Sequence, residues 1–193
     1  SDTALMVVSD YSLGGTITGA TSVCTGTNST KLQLANYRGS IQWQSATLNG
    51  AFIDISQATK DSLIVTGLTV TTQFRARVKN GASAEMYSDT ATILVSELAV
   101  GGTLSGSGAV CYNLNSRVLS LSGNNGSVVR WEYSTSSNFS GATLEATTDT
   151  FLSVNNLTQT TYYRVRIANG ACSTYSSTAT LSVDPTSVAG TAS

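Results

Sequence analysis

The chain has 193 residues, only 11% of them charged, a net charge of −1 and no His. Nucleic acid as a partner is not expected, because phosphate binding needs a basic footprint that this composition lacks. The missing His removes the commonest general base and the commonest neutral metal ligand, so neither an enzyme nor a cofactor is expected. No apolar run is long enough for a spanning helix, so no direct membrane insertion is expected either.

The sequence repeats itself with a period near 88 residues. Gly14-Gly15-Thr16 returns as Gly101-Gly102-Thr103, Val23-Cys24 as Val110-Cys111, Trp43 as Trp131, Leu68 as Leu157 and Asn80-Gly81 as Asn169-Gly170. A period of this length means tandem whole domains rather than a solenoid. Residues 1–9 match 88–96 and read as the last strand of a preceding repeat. Residues 10–96 and 97–184 form two repeats, and 185–193 read as the start of a following one, so the chain looks cut from a longer array.

Short apolar alternations separated by Gly, Asn, Ser and Thr recur every few residues, the pattern of an antiparallel sandwich. In the first repeat they predict strands over 15–18, 31–35, 41–45, 52–55, 62–66, 73–79 and 90–95. The second repeat gives 103–105, 117–122, 128–133, 144–146, 151–154, 162–168 and 178–183. The fold class is therefore all-β: tandem seven-stranded immunoglobulin-like, fibronectin III-like β-sandwiches arranged as a rod. The junction Val95-Ser96-Glu97-Leu98-Ala99-Val100 has no Gly/Ser run, which favours a semi-rigid connection.

Period-two alternation turns Phe74, Ala76 and Val78 toward the core and Arg75 and Arg77 outward; Tyr163, Val165 and Ile167 repeat this against Arg164 and Arg166. Trp43 with Ile41, and Trp131 with Val129, are expected on the buried side of the third strand. Asn80-Gly81 and Asn169-Gly170 predict a hairpin between the sixth and seventh strands, because both turn positions tolerate positive φ. Leu68 to Phe74 and Leu157 to Tyr163 resemble the fibronectin type III pattern in which a Tyr anchors a corner.

Three cysteines are unevenly shared. Cys111 and Cys172 lie in the second repeat and are expected to form a disulfide, whereas Ser83 stands where the first repeat would need its partner. The alternative for the pair is two free thiols. Cys24 is then an unpaired thiol, either a small buried hydrophobe or an exposed group awaiting another chain. Asp54, Asp61, Glu85, Glu132, Glu145 and Asp149 are scattered and form no catalytic or metal-binding motif, so no catalytic residue and no metal ligand is assigned. The outward Arg75, Arg77, Arg164 and Arg166 are candidate contacts to an anionic polysaccharide; the competing reading has them meet neighbours such as Glu132.

Gly14 to Gly19, Val23-Cys24, Gly39 to Trp43 and Asn80-Gly81-Ala82, with Val110-Cys111, Gly126 to Trp131, Thr160 to Arg164 and Asn169 to Cys172, resemble the immunoglobulin-like repeats of large Bacteroidetes cell-surface adhesins. Such adhesins are secreted by the type IX system, and gliding-motility adhesins are among them. The resemblance implies an extracellular bacterial surface location, and secretion and outer-membrane anchoring machinery reached through other parts of the parent. It also implies O-glycosylation at Asp-Ser/Thr sites, with Thr3, Ser62, Thr90 and Thr150 as candidates. The expected function is a structural spacer of a long adhesin, partnered by neighbouring repeats of the same polypeptide. The alternatives are a polysaccharide-binding repeat and an accessory module of a secreted hydrolase.

Overall fold

The computed structural model describes residues 10–184. The chain divides into two compact units that meet between Ser96 and Glu97, and each builds the same two-sheet sandwich. The readings of 1–9, 185–193 and Thr3 lie outside the described residues.

In unit 1 the strands are β1 (Thr16–Thr18), β2 (Ser22–Cys24), β3 (Ser29–Ala35), β4 (Ser40–Thr47), β5 (Ile53–Asp54), β6 (Ser62–Thr66), β7 (Thr72–Lys79), β8 (Met86–Tyr87) and β9 (Ala91–Ser96). Unit 2 follows with β10 (Thr103–Ser105), β11 (Gly108–Cys111), β12 (Ser116–Ser122), β13 (Ser127–Ser134), β14 (Thr143–Glu145), β15 (Phe151–Asn155), β16 (Thr161–Asn169), β17 (Cys172–Tyr175) and β18 (Ala179–Asp184). A three-stranded sheet, β1-β3-β6 or β10-β12-β15, faces a six-stranded one, β2-β9-β7-β4-β5 with β8 on β7, or β11-β18-β16-β13-β14 with β17 on β16.

Each unit thus shows nine described strands rather than the expected seven. The extra pairs are β2 with β8 and β11 with β17, all of four residues or fewer. The first strand crosses between sheets at Gly19 or Gly106, both with positive φ, so β2 and β11 run parallel to the last strand. The hairpin return is split as well. Ser88 and Ser176 bridge the break, each accepting through Oγ from the backbone N–H of Ala76 (2.8 Å) or Val165 (2.9 Å).

The core follows the alternation. Trp43 and Trp131 are fully buried, packed with Leu32, Leu34, Ile41, Phe74 and Val78 in unit 1 and with Leu119, Leu121, Tyr163, Val165 and Ile167 in unit 2. Each indole N–H is satisfied across the sandwich, donating to the carbonyl of Lys60 at 2.8 Å or of Asp149 at 2.9 Å. Val129 departs from expectation and lies on the surface, while Val128 packs on the core. The cause is a bulge between Val128 and Arg130, which adds one residue to β13 and reverses the faces beyond it.

The Asn-Gly hairpins form. Only Gly81 and Gly170 take positive φ; Asn169 is the last residue of its strand and pairs with Cys172. Positive φ at the first central residue alone is the sign pattern of a II′ loop, which asks for Gly there and leaves Asn unconstrained.

The cysteine pairing also differs. Cys111 is an exposed free thiol, whereas Cys24 and Cys172 are both disulfide-bonded. Geometry within unit 2 explains why Cys111 and Cys172 do not pair. Cys111 is level with Asp184 on β18, and Cys172 with Asn169 on β16. Leu181 is level with Thr161, so eight residues of β16 and three of β18 separate the two cysteines. At about 3.3 Å per residue they stand roughly 35 Å apart, at opposite poles. A disulfide requires Cα atoms within about 7 Å.

Candidate functional site

The outer face of the six-stranded sheet carries the most organised polar cluster, and it recurs in both units. In unit 2 it is built on Glu132, whose place in the middle of β13 puts its carboxylate between the side chains of Arg130 and Arg164. Glu132 is 2% exposed. Arg164 donates to Oε2 at 2.9 Å from Nε and lies 2.8 Å away through Nη2. Arg130 donates to Oε1 at 2.9 Å, with Nη2 at 2.7 Å, and the Tyr175 hydroxyl donates to the same oxygen at 3.1 Å. Burial raises the carboxyl's pKa, but the hydrogen bonds from Arg164, Arg130 and Tyr175 outweigh it and hold the group below its ordinary range.

The Arg164 guanidinium is clamped on both faces, with Phe139 4.1 Å and Tyr175 3.8 Å from its carbon. Phe139 reaches it from a residue with φ of 59°, a left-handed conformation that a bulky side chain rarely takes. Unit 1 repeats the arrangement with other chemistry. Arg75 is sandwiched between Phe52 and Tyr87, each at 4.0 Å, and donates to Gln44 Oε1 at 2.9 Å. Gln44, in the place of Glu132, donates to Asp54 at 2.7 Å, and Asp54 in turn pairs with Arg77 at 2.8 Å.

All four arginines singled out from the sequence therefore have partners in their own unit. Arg77 also lies 3.7 Å from Glu85, and Arg166 donates to Ser173 at 3.3 Å. Sequence reasoning paired Arg with Glu132 but missed Gln44, Phe52, Tyr87 and Tyr175. The available signal was an aromatic six or seven residues after each Asn-Gly turn and another eight or nine after each Trp. Gly14 and Gly101 belong to the same construction. A Cβ at either would stand 1.9 Å from the carbonyl oxygen of Tyr87 or Tyr175, so the leading segment can pass beside the stacking Tyr only as glycine.

The candidate glycosylation positions do not share one environment. Thr90 and Thr150 are exposed and Ser62 is half-buried. Asp89, which precedes Thr90, accepts from the Ile17 N–H at 2.7 Å, the role Ser177 plays for Leu104 at 2.9 Å. Asp61 and Thr150 occupy equivalent places, accepting from Leu34 and Leu121 at 2.7 Å each, so the Asp-Ser and Asp-Thr pairs there are one residue out of step. Among the described residues no group of three or more His, Cys, Asp or Glu could hold a metal ion, and no helix is long and apolar enough to cross a membrane.

Solved structures share the fold. The chain is similar to murine CEACAM1b, at 17% identity and a TM-score of 0.54 over 84% of this chain and 96% of that one. It is similar to a marsupial T cell receptor at 13% identity and a TM-score of 0.56, over 90% and 73% of the two chains. It is also similar to three N-terminal domains of the highly immunogenic outer capsid protein of bacteriophage RB49, at 11% identity and a TM-score of 0.54, over 87% and 69%. These likenesses show an immunoglobulin-like sandwich. No curated protein matches the sequence. A family model matches it twice, over residues 13–97 and 100–185, and the chain belongs to that family, described as a domain of unknown function (DUF8696).

Proposed function

We propose that the two units are structural spacer repeats of an extracellular adhesin of the bacterial surface, arranged as a rod. The observation that carries this reading is the closure of the outward arginines. In both units the guanidinium that could meet an anionic glycan is stacked between two aromatic rings and hydrogen-bonded to Gln44 or Glu132. With Arg77 ion-paired to Asp54 and Arg164 to Glu132, and Arg75 and Arg164 stacked, this face leaves few donors open to a ligand. Disulfide-bonded Cys24 and Cys172 support an oxidising compartment, and the sequence resemblance supports export by the type IX system.

An in-frame exchange in the parent protein tests the reading. Replacing the two units by two unrelated immunoglobulin-like sandwiches of equal length should preserve attachment, whereas loss of attachment with surface display intact would overturn it. The polysaccharide reading is tested separately with Arg75, Arg77, Arg164 and Arg166 replaced by Ser. Retention of the original chain on an acidic glycan column, lost in this folded variant, would favour binding over spacing.

A further inference from the structure

We propose that the open flank of unit 2 docks an extended peptide carrying a lysine or arginine, added as a strand beside β15 with the basic side chain seated against Glu145. In each unit a cleft opens between the last strands of the two sheets, β5 and β6 or β14 and β15. The cleft of unit 2 encloses about 230 Å³ and is lined by Tyr133, Tyr163, Leu152, Val154, Leu157 and Glu145.

The two copies line this cleft with different chemistry. In unit 1 Ile55 donates its N–H to the Trp43 carbonyl at 2.9 Å and packs on the core, and no charged residue lines the cleft. The residue level with Trp131 in unit 2 is Glu145. A carboxylate cannot replace isoleucine against a core, and Glu145 stays exposed. Among the described residues no Lys or Arg forms an ion pair with it. The facing pair Ser45 and Phe74 of unit 1 becomes Tyr133 and Tyr163, whose rings stack at 5.8 Å. Three exchanges thus bring a ring, a phenol hydroxyl and a negative charge to one place. The same carboxylate adds, after burial and Tyr133, to the raised pKa of Tyr163, so its charge is felt at that hydroxyl. An unpaired carboxylate beside two aromatic rings attracts an organic cation, and the apolar walls of Leu152, Val154 and Leu157 suit the stem of a lysine or arginine.

The strand edge favours a peptide over a free cation. β15 ends its sheet and pairs with β12 alone. Thr150 accepts from the Leu121 N–H at 2.7 Å and Asn156 donates to the Asn115 carbonyl at 3.0 Å, so the even-numbered residues turn their backbone groups toward β12. Phe151, Ser153 and Asn155 turn theirs to the open side, an unpaired row that can template another strand. Alternate side chains of a strand added there would project beside Leu152 and Val154, into the cleft.

Selection of a phage-displayed random heptapeptide library on the full chain tests the proposal. Peptides with Lys or Arg flanked by alternating β-formers should be enriched, and a synthetic member should bind roughly tenfold more weakly to Glu145→Gln. Glu145 is exposed, so this variant keeps its fold, and a thermal melt matching that of the original chain checks it. The same peptide N-methylated at alternate backbone nitrogens should lose binding, because it can no longer donate to the edge of β15. Enrichment of no basic peptide, or affinity unchanged in Glu145→Gln, would overturn the proposal. Equal binding of the N-methylated peptide, or of lysine amide alone, would overturn strand addition. Neither result bears on the spacer reading, which the in-frame exchange tests by itself.

Discussion

Single residues divide into those that build both sandwiches and those that make the copies differ. Trp43 and Trp131 fill the same space and satisfy the same cross-sheet carbonyl, so Trp43→Ala and Trp131→Ala should each lower the stability of their own unit by about 3–5 kcal/mol, measured by denaturant unfolding. Glu132 and Tyr163 have no titrating counterparts, since Gln44 and Phe74 stand in their places. The Tyr163 hydroxyl is pushed up to about 12 from 10.0, first by burial and then by the neighbouring Tyr133, whose ring stacks on it at 5.8 Å. A raised pKa means that its stabilising contribution is complete below pH 10 and is lost as pH climbs toward 12. Tyr163→Phe should remove that alkaline loss, on the order of 2–3 kcal/mol. The lowered pKa of Glu132 works in the opposite direction, giving stability that is present above 4.5 and lost as pH falls below it. Glu132→Gln should flatten the acid limb and cost about 2 kcal/mol at neutral pH, because it leaves Arg130 and Arg164 without their shared carboxylate.

At the scale of elements, the long central strands were legible and four of the short edge strands were not. β7 and β16 announce themselves by alternation over eight residues each, and β4 and β13 by a Trp flanked by polar residues, Gln42 and Gln44 or Arg130 and Glu132. β2, β8, β11 and β17 contain two to four residues, too few for a period to show. Their existence depends on a neighbour of full length. The bulge in β13 was invisible for a related reason, since an inserted residue becomes a bulge only against a partner strand. Gly101 gives this scale its prediction: Gly101→Ala should lower the melting temperature of unit 2 by several degrees, because the new Cβ collides with the Tyr175 carbonyl, which is backbone and cannot step aside.

For the molecule as a whole, two units of one architecture carry different charge chemistry, and their pH responses should separate. With Trp131→Phe, the remaining indole reports unit 1 alone; with Trp43→Phe, it reports unit 2 alone. Acid and alkaline titrations followed by emission should show unit 2 losing stability at both extremes, while unit 1, lacking a buried carboxylate at Gln44 and a hydroxyl at Phe74, changes less. Equal responses in the two variants would contradict the roles given to Glu132 and Tyr163.

What the sequence determined by itself was everything with a repeat or a period behind it: two copies, an all-β sandwich, the core faces outside the bulge at Val129, and the outward arginines. Local alternation and turn chemistry encode these without help from distant residues. Only the tertiary structure decided which outward groups close on each other and which cysteines are bonded. The arginine stack joins residues from separate strands and loops, so its partners meet only once the sheet is assembled. The same reason governs the cysteines. Alignment places Cys111 and Cys172 in one repeat, but the strand register carries them to opposite poles, where no S–S bond can span the length of the sheet.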